Sequence, residues 1–258
     1  MTKVVRIVVP ERDFSESYVA YTPPHPFPTL GGALYAGYVF GSDYTDYAEL
    51  EDISGNGRSL TKTGTPTRAA ESTLVDYNAY YQTPFTATAL ATANEAASIV
   101  AWIKPSGLET ACLYVTAGSA TTPFVDSYGI QSSTTSVLQA ASRVTTTQTA
   151  AILDDATRGV AFDMAAGVFH ADSDGGGLIE AYHQSPNGAL RAAATVPSHG
   201  ASPVGANQFR IGSAYGSPST APFAVAGVAF YDRDLTEAEI GLLRYAGQTW
   251  FGSFGLDV

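Results

Sequence analysis

Near the C-terminus, Asp232-Arg233-Asp234-Leu235-Thr236-Glu237 brings three carboxylates and a guanidinium into one short run. Carboxylates this close can share the acid and nucleophile roles of glycoside hydrolysis, but a retaining pair must sit about 5 Å apart on one strand face. A turn into a helix explains the same residues. Thr236 is placed as an N-cap with Glu239 three residues on, and Leu235 and Ile240 are placed to staple the chain on either side of it. Glu237 and Glu239 then complement the positive end of the helix. A strand-to-helix turn splays its carboxylates, so the structural reading outweighs the catalytic one.

Two further acidic stretches could bind a cation. Asp172-Ser173-Asp174-Gly175-Gly176-Gly177 alternates carboxylates and glycines as a calcium loop does, which makes Asp172 and Asp174 the candidate ligands. An EF-hand would also need an oxygen ligand at Gly176 and a bidentate Glu at the position of His183, so it is not one. A surface turn with Asp caps and positive-φ glycines accounts for the stretch equally well. Asp43, Asp46, Glu49, Glu51 and Asp52 read as a solvated loop. The four histidines, His25, His170, His183 and His199, lack metal spacing, and His170 and His183 read as a cross-strand pair flanking the glycine hairpin. No Gly-x-Ser-x-Gly elbow anchors a serine nucleophile. No motif for an organic cofactor is present, and calcium is the ion to test.

Tyrosines mixed with short polar groups offer the other chemistry, recognition of a sugar or a protein surface. They fall in two stretches, with Tyr44 and Tyr47 in the first and Tyr77, Tyr80 and Tyr81 in the second. The same composition fits a strand with Tyr on its outer face.

The elements that must position these groups are strands. In Phe223–Tyr231, period two puts Val225, Ala229 and Tyr231 on one face and Ala224, Val228 and Phe230 on the other. Both faces are apolar, which predicts a strand covered on both sides. Short strands are also expected at 33–40, 98–103, 112–115, 136–141, 159–164, 168–171, 178–183 and 209–214, separated by Gly, Ser, Thr and Pro clusters, as in a β-sandwich. One helix is expected over 235–246, ended by Gly247. Residues 1–30 read as an extended N-terminal arm. Val4, Val5, Ile7, Val8 and Val9 form a β-prone segment, and Pro23, Pro24, Pro26, Phe27 and Pro28 form a stiff spacer that cannot fill ladder positions. The arm either pairs with another chain or packs back on residues 31–258, and both readings stay open.

Four stretches carry a family resemblance: the Asp52-Ile53-Ser54-Gly55-Asn56-Gly57 turn, the Ser98–Pro105 strand around Trp102, Phe209-Arg210-Ile211-Gly212-Ser213, and the closing run AVAGVAFYDRDLTEAEIGLL. In this order they resemble the concanavalin A-like (laminin G-like) jelly roll, in the form found in bacteriophage structural proteins. The resemblance implies an all-β concanavalin A-like β-sandwich with a short C-terminal helix. It also implies a tail, fibre or head-decoration subunit of a virion that contacts host-surface glycan and assembles as a homo-oligomer, by analogy a trimer, with other virion proteins. The glucanase branch of that family carries a Glu-x-Asp-x-x-Glu strand, which is absent here. The expectation is therefore a non-enzymatic protein, with a polysaccharide-degrading enzyme or a carbohydrate-binding module as the alternative. The segment VFHADSDGGGLIEAYH departs from the family's usual hairpin.

Composition narrows the classes. The 258 residues suit one large sandwich with an arm. Charged residues are only 14%, against about 25% in an average domain, which suits faces covered by neighbours. The net charge is -11, with lysine only at Lys3, Lys62 and Lys104. Nucleic acid binding needs clustered cations, so nucleic acid is excluded as a partner. No run of about 18 apolar residues offers a membrane span. Cys112 alone cannot form an internal disulfide. The opening MTKVVRIVV is broken by Arg6 and has no small-residue cleavage site. The expected history is synthesis in a host cytoplasm and incorporation into a virion.

Overall fold

A computed structural model describes residues 25–91, 96–105, 112–117, 127–132, 137–144, 147–154, 161–170, 178–184, 191–192, 196–197, 207–215 and 221–258. In chain order the strands begin with β1 (Leu34–Val39), β2 (Thr61–Thr63), β3 (Thr67–Arg68), β4 (Thr73–Val75) and β5 (Tyr80–Thr86). After a one-turn helix α1 (Ala87–Ala91) come β6 (Ala97–Pro105), β7 (Cys112–Thr116), β8 (Ser127–Ser132), β9 (Val137–Val144) and β10 (Thr147–Asp154). The chain continues with β11 (Asp163–Phe169), β12 (Leu178–Gln184), β13 (Arg191–Ala192), β14 (Val196–Pro197), β15 (Gln208–Ile211), β16 (Phe223–Tyr231) and α2 (Glu237–Ser253).

These strands form two antiparallel sheets. One has the order β13-β12-β11-β6-β16-β4-β3, with β1 added on β16 and β14 on β12. The other has the order β10-β9-β8-β7-β15-β5-β2. The all-β sandwich expected from the alternation is present. The strands expected at 159–164 and 168–171 are one continuous strand, β11, as far as the described residues run.

Alternation also explains why β6 and β16 are apolar on both faces. Ile99, Ala101 and Ile103 of β6 join the core between the sheets, while Val100 and Trp102 enter a second core on the outer face, under α2. In β16 a bulge between Val225 and Gly227 interrupts the period. It moves Val225 onto the inter-sheet face with Val228 and Phe230, whereas Ala226, Ala229 and Tyr231 face the outer core. The expected grouping of Val225 with Ala229 and Tyr231 is corrected accordingly. One extra residue in a strand reverses the facing of everything before it.

The start of α2 is as read from the sequence. Thr236 accepts from the Glu239 backbone N–H, and the Glu239 side chain accepts from Thr236 N–H, closing the capping box. Leu235 and Ile240 are both buried beside it in the outer core. The end of α2 is not as expected. The helix runs through Gly247 to Ser253. It stops at Gly255, whose φ is +99°. There Leu256 N–H donates to Phe251 O and Gly255 N–H to Gly252 O, the pair of bonds of a Schellman cap.

Of the expected arm, Val4, Val5, Ile7, Val8, Val9, Pro23 and Pro24 lie outside the described residues. Pro26, Phe27 and Pro28 pack on the chain's own sandwich. Phe27 is fully buried in the outer core, and the Pro28 carbonyl accepts from Tyr231 Oη at 3.0 Å. Packing in cis therefore holds for this end of the spacer, which belongs to the sandwich layer.

Candidate ligand pocket

Side chains of β12 alternate across the sheet. Ile179 and Ala181 point between the sheets, and Glu180 and Tyr182 point outward. The β16–α2 turn crosses above them, held by Ser98, whose Oγ donates to Arg233 O at 2.9 Å and accepts from Leu235 N–H at 3.0 Å. Between strand and turn lies a cavity of about 410 Å³, lined by His170, Glu180, Tyr182, Asp234, Thr236 and Glu237, with Arg233 and Leu235 also on its wall.

One continuous contact chain sets the wall. Tyr182 Oη donates to Glu180 Oε2 at 2.6 Å. His170 Nε2 lies 3.4 Å from the same oxygen, and His170 Nδ1 lies 3.0 Å from Asp234 Oδ2. Through Nδ1 the imidazole therefore joins the end of β11 to the turn at the cavity mouth, while Nε2 faces β12 without making a hydrogen bond. Burial first, and then the Glu180 hydrogen bond, raise the Tyr182 phenol above its usual pKa, so it remains a donor at neutral pH.

Arg233, on the same wall, has its guanidinium engaged by the turn and α2. Its Nη1 and Nη2 grip Glu239 at 2.9 and 2.5 Å and also reach the Asp234 and Leu30 carbonyls. The guanidinium, then the Thr236 backbone N–H, lower the Glu239 carboxyl to about 2 from an ordinary 4.5. A depressed acid stabilises the fold above its ordinary pKa and loses that contribution as pH falls through its folded value. The wild-type advantage over Glu239→Gln should be full above about pH 4.5 and gone by about pH 2. Urea midpoints across that range measure it, and a pH-independent gap would refute the assignment.

His170 and His183 are not a cross-strand pair. In the register of β11 and β12, His183 lies opposite Ala165 and Val168 opposite Glu180. His183 instead points between the sheets, where its Nε2 is 3.2 Å from Asp163 Oδ2 with both side chains fully buried.

The predicted tyrosines divide by burial. Tyr81 is 0% exposed and donates to Glu49 Oε1 at 2.9 Å, inside the core between the sheets. Tyr44 is 2% exposed, donates to Glu71 O at 2.6 Å and packs on Trp250 in the outer core. Tyr80 is 9% exposed, beneath the Arg210 guanidinium. Rings this deep hold the layers together and cannot meet a ligand. Tyr47 and Tyr77 are half-buried. The solvated-loop reading is corrected at Asp52, which is 5% exposed and organises its turn.

Asp172 and Asp174 lie outside the described residues. Among the described residues, no group of three or more His, Cys, Asp or Glu is placed to hold a metal ion. No helix among them is long and apolar enough to cross a membrane. Glu180 and Tyr182 were missing from the sequence reading, although period two over 178–183 marks them as one face. Only the turn folding over that face makes them a wall.

No curated protein matches the chain by sequence. Solved structures share its fold. The receptor-binding domain of botulinum neurotoxin type G superposes with a TM-score of 0.57 at 10% identity, over 82% of this chain and 51% of that one. The receptor-binding domain of botulinum neurotoxin D gives 0.59 at 11% identity, over 85% and 54%. Trypanosoma rangeli sialidase, in complex with sialic acid, gives 0.57 at 15% identity, over 85% and 34%. The chain thus spans about half the length of the neurotoxin domains and about a third of the sialidase. The model of the concanavalin A-like lectin/glucanases superfamily matches residues 76–241. That match takes in β5 through the first residues of α2, more than half of the chain, and the chain belongs to this superfamily.

Proposed function

We propose that this protein is a lectin-like, non-enzymatic subunit of a bacteriophage particle, in its tail, fibre or head decoration, whose sandwich contacts glycan on the host surface. The observation that carries the glycan part is a concanavalin A-like sandwich with a polar cavity of about 410 Å³ open beside its outer core. Small-ligand sites have this size, and the lining here is mostly polar. The receptor-binding domains of the neurotoxins and the sialic acid-bound sialidase, which share the fold, support the reading by analogy. The virion part rests on the resemblance of the closing strand and turn and on a surface with few charges.

A glycan array probed with the full-length chain tests the first part, and capture of defined glycans is the expected result. Light scattering on the full chain and on residues 25–258 tests the assembly part. That boundary spares Phe27, which the core needs. An oligomer that dissociates on the truncation is expected for a particle subunit built by exchange of residues 1–24. A monomer in both forms would remove the support for assembly through the arm. A polysaccharide-degrading role on the same scaffold is the second reading, prompted by the three carboxylates around the cavity. Release of reducing ends from a bound glycan, abolished by Glu180→Gln, would overturn the non-enzymatic assignment.

A further inference from the structure

We propose that the outward face of α2 is the seat of residues 4–9 from a neighbouring copy of this chain, an inference that rests on the reading of the protein as a subunit assembled by exchange of residues 1–24. The inward face of α2 places Ile240, Leu243, Trp250 and Phe251 in the outer core. The opposite face carries Ala238, Gly241, Leu242, Tyr245, Thr249 and Gly252, none of them charged. Leu242 is 56% and Tyr245 50% exposed, more than any other large apolar side chain among the described residues. A Cβ at Gly241 or Gly252 would meet no atom within 4 Å, so nothing described covers this stretch. A helix that stands at a surface keeps a polar side toward water, and one apolar on both sides is a helix with two covers.

Two observations name the second cover. The first is where the chain leads. The described residues begin at His25, and the Phe27 and Phe251 rings are neighbours above Gly227. The point at which residues 1–24 join the sandwich is therefore in the layer of α2. Residues 10–24 can span up to about 50 Å, enough to carry residues 4–9 to the α2 of a neighbouring copy, and exchange of one element between identical copies costs little. The second observation is charge. Residues 1–9 hold Lys3 and Arg6 and no acid. Acids stand at both ends of α2, Glu237 in its first turn, Asp257 past its end and Glu71 beside Gly255. Arg244 is the one cation of the helix. In an extended segment Val5, Ile7 and Val9 share one side, an apolar edge to lie on Leu242 and Tyr245, with Arg6 on the other side.

Light scattering on full-length proteins tests this. The set is the unaltered chain, Leu242→Lys with Tyr245→Lys, Ile7→Asp, and the lysine pair combined with Lys3→Glu and Arg6→Glu. The expected result is an oligomer for the unaltered chain, with association weakened about tenfold or more by the lysine pair and by Ile7→Asp. The charge-swapped chain should recover association, which a misfolded variant would not do. Leu242 and Tyr245 are exposed, so the thermal midpoint of the lysine pair should stay near that of the unaltered chain. An oligomer that ignores the lysine pair but dissociates with Ile7→Asp would overturn the inference and leave exchange of the arm standing. One broken by the lysine pair yet indifferent to Ile7→Asp would also overturn it, because α2 would then meet a second α2. A monomeric unaltered chain would refute both the inference and assembly through the arm.

Discussion

Asp52→Ala should cost this fold about 3 kcal/mol or more, with a fall in Tm of about 2–4 °C for each kcal/mol in a chain of this size. The carboxylate of Asp52 accepts three backbone N–H groups: Gly37 at 3.0 Å and Ser54 at 3.0 Å on Oδ1, and Arg58 at 2.9 Å on Oδ2. Hydrogen bonds to a charged acceptor contribute about 1.5–3 kcal/mol each, and they do not add fully because the Ser54 and Arg58 groups can turn to water. The Gly37 N–H lies in β1 under the outer core and has no such recourse. The turn carries more than its own bonds. Gly55 and Gly57 hold φ of +82° and +72°, which lets Asn56 Nδ2 donate to the Leu34 and Tyr35 carbonyls. Arg58 in turn lies 3.6 Å over the Tyr35 ring and donates to the Tyr35 carbonyl. Asp52→Asn keeps the shape but presents an amide to Arg58 N–H, so it should lose roughly half as much. Urea denaturation of the three proteins measures this, and a loss under about 1 kcal/mol for Asp52→Ala would contradict the assignment.

That turn shows what was legible in the sequence. The Asp52–Gly57 stretch was recognisable as a turn through the family resemblance, but Asp52 itself read as a solvated carboxylate, because its partner at Gly37 lies 15 residues away. The capping box at Thr236 and Glu239 was legible in full, because all its bonds lie within four residues. Trp102 was legible as a buried strand residue through the family resemblance of Ser98–Pro105, and it is 1% exposed. Which core it enters was not, since both faces of β6 are apolar.

What escaped the reading needed information from elsewhere in the chain. Ala226 and Gly227 look like any small residues in a strand, yet the bulge there decides which side Val225 faces. His170 and His183 bracket a hairpin symmetrically in sequence, but the β11–β12 register separates them and gives each a different carboxylate partner. Tyr81 looked like surface until β5 was placed inside the second sheet. The pocket failed to show for the same reason. Glu180 and Tyr182 belong to a strand, Asp234 and Glu237 to a turn more than 50 residues later, and no spacing rule joins them.

Gly247 is the strongest test of a residue chosen for size. By propensity alone, Gly247→Ala in the interior of α2 should stabilise the helix by about 1 kcal/mol. Packing opposes this. A Cβ at Gly247 would fall inside the contact distance of the Trp102 indole, on its ring carbons and Nε1, and Trp102 is 1% exposed at the centre of the outer core. The obstacle is a rigid ring packed against Phe251, with centroids 5.6 Å apart, so it has little room to give. Over-packing of this kind costs about 1–3 kcal/mol and sometimes more, and three ring atoms in the way put it at the upper end. Net destabilisation of about 2 kcal/mol is the expected outcome, by the difference of the two effects. Gly241 lies in the same helix with nothing near its would-be Cβ. There the propensity term acts alone, and Gly241→Ala should stabilise by up to about 1 kcal/mol. The paired chemical denaturation curves therefore move in opposite directions for one chemical change in one helix. If both variants gained stability, α2 would not press on Trp102 as described, and the outer core would have to be looser than its packing shows.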